Sequence, residues 1–192
     1  VRVRACSILK SISADSFICI DHPWYKKGSI QNEVKKIPKW VILINRKIFL
    51  NKSKKFNSFK KVFLDRSTSR FNHCKIFNQG SLNDWLKKNR FGIYKPERLS
   101  QEKQIYLFRN SSIILGAHGA ALTNIIFCKP GTKVIEIIPA DHPNKKCERI
   151  SKILKLRYFR IKTKPDNSDK NFPFKIHLNK RHLKIINDKI NL

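Results

Sequence analysis

From Lys61 onward the chain alternates short, wholly apolar runs with amphipathic stretches of about ten residues, and few folds accept that rhythm. KVFLD (61–65), FGIYKP (91–96), SIILG (112–116), KVIEII (133–138) and RYFRI (157–161) read as strands. Between them lie SLNDWLKKNR, with Ser81 as N-cap and Leu82, Trp85 and Leu86 on one face, and SQEKQIYLFRN, opened by Ser100 with Ile105, Leu107 and Phe108 on its apolar side. ALTNIIF and KKCERISKILK complete the helical set. Strands that are apolar throughout are buried on both faces, so the pattern predicts an α/β, Rossmann-like, doubly wound parallel sheet.

The flanks read differently. Residues 1–60 form an irregular leader, with FICI (17–20) as a short strand, DHPWYKKGS as turn material and 40–50 as a helix after Pro38; NKSKKFNSFKK reads as a linker. After Lys162 the chain is polar and basic, with FKIHL a strand and NKRHLKIINDKI a last helix. The organisation expected is therefore 1–60 (leader and linker), 61–161 (the Rossmann-like domain) and 162–192 (tail with final helix). No methionine occurs, so further residues are expected upstream of Val1.

Lysine and arginine number 42 against 13 acids, a net +29 that invites an anionic partner. Yet 30 of the 42 are lysines spread along the chain among 16 asparagines and 26 isoleucines, which biased coding explains equally well. A nucleic-acid or anionic-polymer binding domain without catalysis is the alternative reading. Five cysteines without a CxxC pair argue against structural zinc and a disulfide framework, and point to a reducing cytosol.

One stretch is clean of charge: nothing ionic other than His118 lies between Arg109 and Lys129. GAHGAALTN (116–124) falls where a strand gives way to a helix, the place where open parallel sheets bind ligands. Small residues there let phosphate reach backbone amides, and His118 either donates a hydrogen bond to phosphate or serves a structural role. The loop carries neither GxGxxG nor GxxxxGK[ST], which disfavours a nicotinamide enzyme and a P-loop.

HGAALTNIIFCKPGTKVIEIIP resembles the signature segment of glycosyltransferase family 61, in which a histidine, glycine and alanine open a loop, threonine-asparagine follows, and a PG turn leads to a strand ending in glutamate. FLDRSTSRFNHCKIFNQ resembles the family's strand-then-arginine motif, and LSQEKQIYLFRNSS its glutamine-bearing helix. The three motifs stand in the family's order over 61–161. The resemblance implies the C-terminal donor half of a two-domain GT-B fold with part of the preceding domain, its final helix packing back toward that domain. It implies an inverting transferase that moves sugar from a nucleoside-diphosphate sugar, expected to be UDP-linked, to a saccharide acceptor in surface polysaccharide or glycan synthesis. A bacterial cytoplasmic enzyme at the inner membrane face, with peripheral membrane contact and no nucleic-acid partner, is the expectation. The general base is expected from the missing domain, so the fragment alone should be inactive.

Under that resemblance His118 and Arg66 are the catalytic candidates, steadying charge on the departing diphosphate. Gly119, Ala120 and Ala121 are expected at the pyrophosphate. Thr123 and Asn124 bind the donor or cap the helix; Arg70 is a second phosphate contact or a loop charge; Glu136 accepts ribose hydroxyls or pairs with a lysine. Gln104 makes a structural bond or touches ligand, and Asp21 and His22 line the acceptor side. No DxD occurs, so no metal and no tightly bound cofactor are expected.

Overall fold

Strands that are apolar on both sides must be covered on both sides, and the computed structural model, which describes residues 37–69, 73–164, 166 and 174–192, shows how. Strands β1 (Lys61–Leu64), β2 (Gly92–Tyr94), β3 (Ile113–Ala117), β4 (Lys133–Pro139) and β5 (Arg157–Thr163) form one sheet, ordered β2-β1-β3-β4-β5, with every pairing parallel. The helices are α1 (Lys39–Phe49), α2 (Gln79–Lys88), α3 (Gln101–Asn110), α4 (Lys146–Leu154) and α5 (Lys180–Asn191), while a 3-10 helix, Ala120–Phe127, connects β3 to β4.

Alternate side chains of each strand serve opposite faces. Phe63, Leu115, Ile135 and Ile137 pack against Leu82 and Leu86 of α2 and Ile186 and Ile190 of α5. Val62, Leu64, Ile114 and Val134 meet Ile42 of α1, Ile105 and Phe108 of α3, Leu122 and Ile125 of the 3-10 helix, and Ile150 of α4. Each fully buried side chain of this kind contributes about 1.5–3 kcal/mol, so the two layers hold the sheet from both sides.

Several local expectations change. Helix α2 starts at Gln79 after Asn78, and Ser81 Oγ donates to the Asn78 carbonyl at 3.2 Å instead of capping. Ser100 does cap α3, accepting from the Lys103 amide. ALTNIIF is tightened into 3-10 geometry. The segment read as a linker is tied down: Phe56 sits against Tyr94 and Tyr106, ring centroids 6.2 and 5.7 Å away, and the Lys54 amide donates to the Glu102 carbonyl at 3.1 Å. Helix α5, opened by a capping box between Asn179 and His182, packs Ile186 and Ile190 against the sheet. FKIHL supplies only an isolated parallel bridge, Ile176 to Ile76. The FICI strand lies outside the described residues.

In this strand order the chain leaves β1 for one neighbour and returns for β3 on the other side. The loops leaving the carboxyl ends of β1 and β3 therefore diverge and open a crevice between them. β1 delivers Asp65 and Arg66 to it; β3 delivers His118 and Gly119.

Candidate functional site

Arg66 is aimed by the turn that carries it. Buried Asp65 folds the chain back on itself, accepting from the Ser67 amide at 2.7 Å and the Ser67 hydroxyl at 2.9 Å, with the Lys95 ammonium 3.7 Å away. Arg66 then extends across Gly119. A methyl group added to Gly119 would stand 1.4 Å from Arg66 Nη1 and 2.4 Å from Cζ, so the tip of the guanidinium occupies the space that any side chain at Gly119 would need. The backbone there is extended, with φ at 168°; the glycine is needed for space alone. Arg66 Nη2 donates to the His73 carbonyl at 3.3 Å, whereas Nε is buried without a hydrogen-bond partner among the described residues. Burial lowers the pKa of this guanidinium, with Cys74 and Glu97 acting the other way, and it remains a cation.

Beside it opens a cleft of ≈ 340 Å³ lined by Arg66, Ser69, Pro96, Glu97, Gln104, Ala120, Ala121 and Asn124. A 3-10 helix leaves its first amides without partners inside the helix, and Ala120 and Ala121, which begin it, line the cleft. Asn124 is fixed by Gln104: its Nδ2 donates to Gln104 Oε1 at 2.8 Å, while Gln104 Nε2 donates to the Pro96 and Leu99 carbonyls at 2.9 and 3.0 Å. Gln104 thereby ties the 3-10 helix to the loop after β2.

His118 and Glu136 are not part of the cleft wall. Their side chains are 5% and 1% exposed, and His118 Nδ1 lies 2.6 Å from Glu136 Oε1. The second oxygen accepts from Tyr158 OH at 2.5 Å. Both oxygens of the carboxylate expected at the ribose are thus engaged within the protein. Burial raises the Glu136 pKa, yet the bonds from His118 and Tyr158 outweigh it and the carboxyl is held below its ordinary value. An ionised carboxylate only accepts, so Nδ1 of His118 carries a proton and Nε2 keeps the lone pair in the neutral ring. The His118 ring faces His142 at 4.3 Å and His73 at 6.2 Å between centroids.

The fold therefore gathers Arg66, Ala120, Ala121 and Asn124, with Gly119 beneath the guanidinium. His118 and Glu136 form a layer under the loop, and Thr123 is half-buried outside the cleft wall. Arg70, Asp21 and His22 lie outside the described residues. Four participants went unread: Asp65, whose DxS spacing is an Asx-turn signal; Tyr158, which nothing in RYFRI distinguishes; and His73 and His142, which only folding brings together.

The family model described as Glycosyltransferase 61 matches residues 6–135. Xylan glycosyltransferase MUCI21 of Arabidopsis thaliana is 44% identical over 48 residues, 24% of this chain and 10% of that protein. A beta-1,2-xylosyltransferase of the same plant is 31% identical over 87 residues, 41% of this chain and 16% of that protein. Beta-1,2-xylosyltransferase RCN11 of Oryza sativa subsp. japonica is 33% identical over 63 residues, 33% and 12% of the two chains. These matches span from 10% to 16% of the relatives' lengths.

Proposed function

The chain belongs to glycosyltransferase family 61, and we propose that it is the part of an inverting, GT-B-type glycosyltransferase that holds the nucleoside-diphosphate sugar, a UDP-sugar, for transfer to a saccharide acceptor. The observation that carries this reading is the Arg66 guanidinium lying on Gly119 at the β1/β3 crevice, with donor capacity to spare beside the first amides of a helix. The diphosphate rests between them. As the sugar departs, charge grows on the β-phosphate, and a fixed cation with oriented amides lowers the barrier by meeting it without reorganisation. Asn124, held by Gln104, positions the donor from the same wall.

His118 acts from below. Its proton is pinned to Glu136, so the strand-to-loop junction that presents Gly119 and Ala120 is held rigid, and Glu136 and Tyr158 are positioning residues for it. The names of the relatives support a pentose donor and a plant-type glycan acceptor, in that two are xylosyltransferases and one a xylan glycosyltransferase. Peripheral membrane contact is supported by α1, which exposes Trp40, Leu43, Ile44 and Ile48 beside Lys39 and Lys47. Co-sedimentation with vesicles rich in anionic lipid tests that contact; equal partition of a Trp40→Ser, Ile44→Ser variant refutes it.

Calorimetric titration with UDP tests the donor assignment. Binding of UDP in preference to uridine, lost in Arg66→Ala, is the expected result. Failure to bind UDP, combined with binding to a DNA duplex that weakens steeply with salt, would instead favour the polymer-binding alternative.

A further inference from the structure

Next to the crevice three side chains converge that are not part of the cleft lining. His73 and Cys74 lie in the loop after β1 and His142 in the loop after β4, and one ligand atom from each falls within 4.8 Å of the others. We propose that these three residues bind a divalent transition ion of the zinc type, which staples the Arg66-bearing loop to the loop after β4.

The donor set fits such an ion. Two imidazoles and a thiolate suit zinc and cobalt, whereas the oxygen-seeking ions of phosphate sites need carboxylates and carbonyls that this cluster lacks. Ligands on a tetrahedral zinc at about 2.0–2.3 Å stand between three and four ångströms apart, so small side-chain rotations close the present spacing. Three protein ligands leave the fourth position to solvent. Cys74 is fully buried and holds a left-handed backbone with φ at 54°, which turns its side chain into the cluster instead of along the chain. His73 and His142 are half-buried with rings stacked 6.4 Å apart, and Phe174 closes over His142 at 4.8 Å. Burial and the neighbouring histidines pull His142 down to about 4, leaving it neutral and able to ligate. Burial pushes the Cys74 thiol up to about 12, against the field of Arg66, so the free protein carries a thiol there. Binding forms a metal–sulfur bond, two metal–nitrogen bonds and releases the thiol proton to solvent. His142 Nδ1 accepts a long bond of 3.3 Å from the Asn144 amide, a weak contact that ligation through the other nitrogen has to displace.

Cysteine spacing argued against zinc because it counts only neighbours in sequence, while this site is assembled across β1 and β4. The proposal stands apart from the glycosyltransferase reading, since its test is spectroscopic and needs no sugar nucleotide. The protein is stripped with chelator, loaded with Co²⁺ or Zn²⁺ and dialysed. One equivalent retained, a near-ultraviolet thiolate-to-cobalt absorption, and intense visible bands of a tetrahedral ion are expected, with excess Mg²⁺ changing none of the three. Cys74→Ser should abolish the thiolate band, and His142→Asn should weaken Zn²⁺ binding about a hundredfold or more. Should Cys74→Ser fail to fold, His142→Asn decides alone, because that loop is half-exposed. Absence of the thiolate band in the wild-type protein, or retention of metal unchanged in His142→Asn, overturns the proposal.

Discussion

The β1/β3 crevice and the β3/β4 seam lie on either side of one loop, yet they are built in opposite ways. At the crevice Arg66 keeps a buried Nε without a hydrogen-bond partner among the described residues and lines a cleft of ≈ 340 Å³ beside the start of the 3-10 helix. At the seam buried His118 and half-buried Tyr158 engage the two oxygens of the Glu136 carboxylate through two short bonds. A donor left over beside open volume is what a ligand completes; a carboxylate with both oxygens engaged by its neighbours holds the fold. The difference supports the proposed division, with binding at the first region and positioning at the second.

That division can be broken most forcefully at Glu136. Glu136→Ala leaves an imidazole N–H and a phenol buried without an acceptor, and a loss of about 3–5 kcal/mol of stability is expected in denaturant unfolding. Glu136→Gln keeps an acceptor and should lose less. Because the folded-state pKa of Glu136 lies below the unfolded value, its contribution is complete above pH 4.5 and disappears as pH falls through the folded value. Melting temperatures followed through that acid range should therefore drop more steeply for wild type than for Glu136→Gln.

Arg66→Ala should do the reverse: melting within a degree or two of wild type, with UDP affinity weakened by about 1.5–3 kcal/mol, the worth of a charge-assisted bond. A smaller effect, about tenfold in UDP affinity, is expected from Gly119→Ala, whose methyl evicts the guanidinium. If both act through the same contact, the double variant binds no more weakly than Arg66→Ala alone; additive losses would separate the two residues. The smallest change lies away from both regions. Lys155 ends α4 in a left-handed conformation with φ at 54°, and Lys155→Gly should raise stability by about 1 kcal/mol without touching UDP binding.

The sheet was legible because buried parallel strands are continuous apolar runs, and KVFL, IILGA and KVIEIIP are that at a glance. Arg66 was legible for the same reason: a charge directly after such a run has to emerge at the carboxyl edge. The environment of Glu136 was not, since a lone acid in an apolar strand is compatible with ligand, lysine or buried histidine until Tyr158 on the adjacent strand is placed. Nor was the 3-10 geometry of ALTNIIF, whose apolar spacing fits an α-helix equally. His73, Cys74 and His142 meet only through the sheet order, which no local pattern encodes.

Amide hydrogen exchange with and without UDP tests the central claim most directly. The account predicts protection confined to residues 66–69 and 119–124, with the already closed seam at Glu136 and Tyr158 unchanged. Protection appearing instead along the lysine-rich groove between α2 and α5, lined by Trp85, Lys180 and Lys184, or no protection at saturating UDP, would contradict it.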